Sequence, residues 1–380
     1  MSRHALERLP DKCYRNAGRK HGAGFGDQET SGVGPMIRSV SLTNFRCYRD
    51  LEIDDLGRLN VIVGDNGSGK TALLEALYLV IGNNAGNALK CRAWRGMGQE
   101  FAISDPESYH ALWRDLFYGL NDALRVQVVA LGSSNRAVRV SYASKKADIP
   151  VLGSAPIQWV TFAFQDAKRD WHPFQVTIDK NRTINMGVAP LGIEGAMFSA
   201  AGPIGSKETA DRFSTFSKRN RQGPIVDALK KEFPRIVDLS VETDASAGAM
   251  VHATLANTEQ KIPLALLSSG INRWVAYLCA LGEYSGGAVM IDEIESGLYY
   301  KHLGGMWQSV NELSKAYKTQ VFTAVHSREC LEALQSVAKG EKEDVRLIRI
   351  THEGKDQPTV RVFSGDQLSA ALDSGFELRE

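Results

Sequence analysis

Apolar and polar positions alternate along "IRSVSLTNFRCYRDLEI", break at "NFR" and resume, which predicts two strands joined by a turn. "RLNVIVG" follows as a short continuous apolar run, the pattern of a strand buried on both faces. "TALLEALYLVIG" is a longer run of helix formers. From about residue 85 to 261 the pattern changes. "ALWRDLFYG" has helical spacing, while "LRVQVVALG", "RAVRVSYAS", "WVTFAF" and "PFQVTIDKNRTINMGV" predict strands around polar turns. "KETADRFSTFSKRNRQGPIVDALKKEFPRI" predicts two helices broken near Gly223-Pro224. Longer apolar elements then return: the helix "INRWVAYLCALGEY", the buried strand "GAVMIDE", a helix near "LGGMWQSVNELSKAY" and the strand "TQVFTAV". A hairpin, "DVRLIRITHEGKDQPTVRVFS", and a helix from "DQLSAALDS" close the chain. Buried strands alternating with helices predict an α/β fold, and no heptad pattern is sustained anywhere.

Composition narrows this picture without redirecting it. A chain of 380 residues with 43% hydrophobic content has enough apolar mass for two average domains, or for one large α/β unit with an insertion. Forty-five Lys and Arg against 44 Asp and Glu exclude a globally basic nucleic-acid binder, so any basic surface is local. "KCRAWR" at 90–95, "SKRNR" at 217–221 and Lys230-Lys231 are the clusters that could meet phosphates, against the plainer reading of solvated faces. Cys13, Cys47, Cys91, Cys279 and Cys330 form no CxxC pair, which speaks against zinc or a disulfide framework and suits a reducing cytoplasm. No apolar run is long enough to span a membrane. Residues 1–35 are Gly-rich and polar with no secretory core, and are expected to be a flexible extension, with Met36 as a candidate start.

Gly64-Asp65-Asn66-Gly67-Ser68-Gly69-Lys70-Thr71 satisfies GxxxxGK[ST], and it stands between a strand and a helix as that motif requires. Its glycines free backbone N–H groups to face phosphate oxygens, and the helix N-terminus adds favourable partial charge. Lys70 is then the candidate for the β- and γ-phosphates of ATP, and Thr71 for Mg2+. "AVMIDEIESG" supplies the other half, a buried strand that delivers Asp292 and Glu293 at its C-terminal end. Asp292 reads as the Mg2+ carboxylate and Glu293 as the group that accepts a proton from, or orients, the attacking water. His326 ends a third apolar run, "QVFTAVHSRE", and is the candidate γ-phosphate sensor. Alone, each has a plain reading: a chance turn, solvated acids, a packing histidine. Their coincidence is what favours the chemistry.

Leu267-Ser268-Ser269-Gly270 heads an apolar helix between these motifs. Simple P-loop enzymes need no such peptide. ABC-type ATPases do, because a Leu-Ser-x-Gly helix start there contacts the γ-phosphate bound to the opposite subunit. Ser268, Ser269 and Gly270 are accordingly the candidate contacts in trans. Together with the hairpin "VSLTNFRCYRDLEI", the chain resembles the RecF, SMC and OLD-type ATPases, an ABC class of DNA-associated proteins. It is more closely similar to OLD-type ATP-binding proteins through "LSSGINRWVAYLCAL", "GAVMIDEIESGLYYKHLGGMW", "TQVFTAVHSRECLEA" and "ALDSGFELR".

The resemblance spans residues 36–380 and implies an ABC-type P-loop head, a mixed sheet flanked by helices. Its core would be 36–84 and 262–380, with an α+β insertion or helical lobe at about 85–261 and no long coiled coil. It implies ATP and Mg2+ as cofactors, a homodimer or higher homo-oligomer with composite sites, and Arg46 at the nucleotide. OLD nucleases carry a Toprim domain after the ATPase, and the residues beyond His326 leave no room for one. A separate nuclease, Toprim-like or toxin effector subunit is therefore the expected partner, DNA or RNA the expected object, and phage defence or DNA repair the expected use. Three departures stand out: Ser269 where transporters have glycine, Ile271 in place of glutamine, and Tyr299 where relatives often have histidine. Gln165 is one weak candidate for the Q-loop. Two other readings remain, a nucleotide-sensing module with little turnover and a transporter nucleotide-binding subunit.

Overall fold

The helix behind the Gly-rich loop is apolar on every face, and the fold encloses it between two sheets. The structure, a computed structural model, describes residues 37–97, 103–133, 135–142, 151–152, 155–166, 168–179, 183–186, 195–202, 204–244, 248–352 and 357–374. The expected extension at 1–35 and the last residues of "ALDSGFELR" lie outside these.

In chain order the principal elements begin with β1 (Ile37–Phe45), β2 (Tyr48–Ile53), β3 (Leu59–Gly64), α1 (Lys70–Gly82) and α2 (Gly86–Trp94). Next come β4 (Val126–Gly132), β5 (Arg136–Tyr142), β6 (Val160–Gln165), β7 (Trp171–Gln175) and β8 (Gly195–Phe198). Helices α3 (Ser206–Ser217) and α4 (Gly223–Glu232) precede the hairpin β9 (Ile236–Asp244) and β10 (Gly248–Leu255). The remainder is α5 (Ser269–Glu283), β11 (Ala288–Ile291), α6 (Leu303–Ala316), β12 (Gln320–Ala324), α7 (Arg328–Gly340), β13 (Val345–Thr351), β14 (Thr359–Ser364) and α8 (Gly365–Asp373).

The core sheet runs β8-β11-β12-β3-β13-β14, parallel except for the last pair. A second, antiparallel sheet runs β2-β1-β4-β5-β6-β7. Successive core-strand residues face opposite sides, as buried parallel strands must. Ile62, Met290, Phe322 and Ile348 join α1 and the second sheet in one apolar cluster. Val61, Val63, Val289, Ile291 and Val321 join α5, α6 and α7 in another. Ala72 through Ile81 are buried without exception, because α1 has a sheet on each side.

Two expectations are corrected by the strand order. The stretch 85–261, read as an insertion, contributes β8 to the core sheet beside β11. Conversely the β1–β2 hairpin, assigned to the core, pairs into the second sheet through β4. Pairing follows the burial of α1 rather than the order of the chain. "ALWRDLFYG" is not one helix either. A capping box at Asp105 with Pro106 starts a short helix early, and Phe117 in extended backbone with Gly119 at φ 59° breaks the rest into single turns.

Glu75 is the polar exception on α1, with its side chain 2% exposed. Arg95 holds it with two parallel bonds of 2.8 Å, and Arg46 Nε lies 2.8 Å away without hydrogen-bond alignment. Asp115 meets Arg46 at 3.2 Å and Arg92 at 3.3 Å. Arg92 and Arg95 of "KCRAWR" are thus committed to acids of the same chain. We predict that Glu75→Ala destabilises by about 2–3 kcal/mol, read as a fall in the urea midpoint, because it leaves the buried Arg46 with Asp115 alone and Arg95 without its bidentate partner. Glu75→Gln should cost less.

Candidate nucleotide site

Strands β3, β11 and β12 all point their C-terminal ends at one edge of the core sheet, where parallel sheets present their ligand sites. From β3 the chain enters the loop 64–69 with Gly64, Gly67 and Gly69 all at positive φ. Gly69, at φ 104°, rests on the Tyr48 hydroxyl, and a Cβ there would collide with it. Asp65, Asn66 and Ser68 complete the loop. The Ser68 hydroxyl is buried without a hydrogen-bond partner. Lys70 turns its ammonium back onto the loop, donating to the carbonyls of Gly64 (2.5 Å) and Asp65 (2.8 Å). Burial lowers its pKa, opposed by Asp292, Asp65 and two further acids.

Thr71 donates to Asp292 Oδ2 at 3.0 Å, which joins the loop to the end of β11. Asp292 is 6% exposed, and its Oδ1 has no hydrogen-bond partner. Burial raises its pKa, and the Thr71 hydrogen bond opposes the rise. This donor set fits Mg2+, which takes one or two protein oxygens and fills the rest of its octahedron with phosphates and water. No group of three or more His, Cys, Asp or Glu among the described residues forms an all-protein metal cage.

Glu293 follows in the left-handed region at φ 51°, a conformation that costs a non-glycine residue about 1–3 kcal/mol. Its Oε1 lies 3.7 Å from His326 Nε2, so the two expected functional side chains face each other. Glu295 positions the second of them, with Oε1 accepting from the backbone N–H of His326 (2.7 Å) and Ser327 (3.0 Å).

Ser268 caps α5, its hydroxyl accepting from Ile271 N at 3.4 Å, and Ser269 beside it is exposed. Gly270 is buried against Gly297 and Leu298, on the loop that follows Glu293. A Cβ at 270 would collide with the Gly297 carbonyl. The structure therefore brings the helix start to the loop after β11 within one chain. Arg46 lies elsewhere in the same neighbourhood, behind α1 on Glu75 and Asp115, with Nη2 buried and unpartnered. Gln165 ends β6 in the second sheet and donates to the Arg169 carbonyl. It is β8, in the core sheet, that ends beside Asp292, with Phe198 O accepting from Asp292 N at 2.8 Å.

Sequence reading missed Glu75, Glu295 and Tyr48. Glu75, a lone acid in an apolar helix, carried a signal, whereas the contacts of Tyr48 and Glu295 emerge only once strands are assembled. An acid with a raised pKa destabilises the fold once ionised, so its contribution worsens as pH rises through that pKa. Asp292→Asn should therefore raise the thermal midpoint of nucleotide-free protein at neutral pH. The gap from wild type should narrow on acidification, and Mg2+-dependent ATP binding should be lost.

Residues 36–130 match the model of the AAA ATPase domain family. The chain is 22% identical over 373 residues to an ATP/GTP phosphatase of Helicobacter pylori, covering 88% of this chain and 97% of that protein. It is 26% identical over 145 residues to the DNA replication and repair protein RecF of Gloeobacter violaceus, covering 36% of each. A solved SMC head bound to the C-winged helix domain of ScpA aligns over 89% of this chain and 100% of its own, with a TM-score of 0.48 and 13% identity. The phosphate loop, the Asp292–Glu293 strand end and the serine-capped helix have the arrangement of an ABC-class P-loop ATPase, and the chain is similar in sequence to an ATP/GTP phosphatase and to RecF.

Proposed function

We propose that this chain is an ATP-hydrolysing head that closes as a dimer around ATP. The convergence of Lys70, Thr71, Asp292, Glu293 and His326 on one sheet edge carries the reading. Lys70 releases its two loop carbonyls to meet the β- and γ-phosphates, and Gly64–Thr71 offer backbone N–H groups around them. Thr71 and Asp292 would hold Mg2+, which when bound would supply charge neutralisation at the phosphates. Glu293 orients the attacking water and takes its proton, while His326 reads the γ-phosphate. Arg46 contributes its unpartnered Nη2 to the nucleotide.

Ser268, Ser269 and Gly270 complete a partner's site. Large apolar side chains support closure on this face: Leu266 is 78% exposed, Tyr299 56% and Tyr300 55%, on the two segments that meet at Gly270. A site assembled only on closure turns over slowly.

Within the class we favour an OLD-type head, cytoplasmic, acting in phage defence or DNA repair with a separate nuclease, Toprim-like or toxin subunit. No helix among the described residues is long and apolar enough to cross a membrane. Glu293→Gln should keep ATP binding and lose about 10²–10⁴-fold in kcat. Light scattering on that variant should show a rise in subunit number with Mg-ATP, abolished by adding Ser268→Arg. Equal turnover in wild type and Glu293→Gln would sink the catalytic role and leave a nucleotide-sensing module.

A further inference from the structure

Arg273 lies one helical turn inside α5 from the serine cap, and the mechanism above gives it no task. Its guanidinium reaches out of the helix to three backbone carbonyls of one turn: Nη1 to Ser199 O (3.3 Å), Nη2 to Ala200 O (3.0 Å) and Gly202 O (3.2 Å). That turn is closed by Gly202 N donating to Ser199 O at 3.2 Å, and it directly follows β8. One turn further along α5, the Tyr277 ring packs edge-on to Phe198 with centroids 5.0 Å apart. Phe198 in turn accepts the backbone N–H of Asp292.

The opposite side of the turn touches the phosphate-loop helix indirectly. A Cβ at Gly202 would sit 2.9 Å from Trp94, and the Trp94 ring lies 5.6 Å from that of Tyr78 on α1. Residues 198–202 thus lie between the helix headed by Ser268 and Trp94 of α2, which packs in turn on the helix headed by Lys70, with Asp292 bonded to their first residue. A planar guanidinium can serve three acceptors at fixed angles, whereas an ammonium cannot reproduce that fork.

We propose that Arg273 is a positioning residue for hydrolysis, the tie through which engagement of Ser268 by a partner's nucleotide sets the seat of Asp292 in the same subunit. The inference rests on the ATPase reading. A displaced α5 moves the turn by its three carbonyls, and the turn moves Asp292 by its backbone.

The test compares steady-state ATP turnover, KM and thermal midpoint of wild type, Arg273→Ala and Arg273→Lys, with Lys70→Ala as control. The expected result is a fall in kcat of roughly tenfold or more for Arg273→Ala, with KM for ATP within about twofold of wild type. Arg273→Lys should fold with a near-native midpoint yet keep less than about a third of the wild-type kcat. A lysine variant with wild-type kcat would overturn the tie, as would losses that appear in KM or in the midpoint alone. Wild-type turnover no greater than that of Lys70→Ala would instead overturn the ATPase reading, and this inference with it.

Discussion

A helix that is apolar on all faces cannot be satisfied by one sheet, and α1 imposes that constraint on the whole molecule. The core sheet covers one side, so a second sheet has to cover the other. Its strands are recruited from both sides of the phosphate loop, β1 and β2 from before it and β4 to β7 from after it. Enclosure of α1 is therefore what carries the β1–β2 turn to the loop, with Tyr48 beneath Gly69 and Arg46 beside Glu75. The buried carboxylate of Glu75 is tolerable only with cations close by, and the enclosing elements supply Arg46 and Arg95.

At the sheet edge, stability is traded for chemistry. Asp292 is desolvated and keeps an unpartnered oxygen, and Glu293 holds a left-handed backbone. Both features cost free energy in a resting fold, and both place oxygen atoms where a metal ion and a water molecule would use them. Glu295 offsets part of this by fixing the chain at His326 and Ser327, so the histidine is held by its backbone with its ring facing Glu293.

The local parts of this architecture were legible from the sequence. Continuous apolar runs ending in GxxxxGKT, Asp-Glu and His-Ser identify parallel strands with polar ends, and β3, β11 and β12 bear this out. The two helices broken at Gly223-Pro224 and the terminal hairpin were legible for the same reason, since their signals lie within a few residues of the elements themselves. What was not legible depends on pairing at a distance. β8 has only four residues, flanked on one side by residues outside those described, and its membership of the core sheet is decided by β11 some ninety residues later. "KCRAWR" looked like a surface cluster because the acids that bind it, Glu75 and Asp115, lie in separate segments. The role of Arg273 is likewise invisible in sequence, where it is one polar residue near the start of a helix.

The contact between Gly270 and Gly297 has a consequence for how such a sequence can change. Gly270 has no room for a side chain while the Gly297 carbonyl stays in place, and at Gly297, held at φ 78°, a side chain would be strained and would press on Ser269 and Gly270. A substitution at Gly270 is therefore tolerable only after the loop at Gly297 has shifted, so the two positions, 27 residues apart, are coupled. Lineages that remodel the loop around Tyr299 should carry matching changes at the head of α5, and the serine cap would be inherited with that loop as one unit.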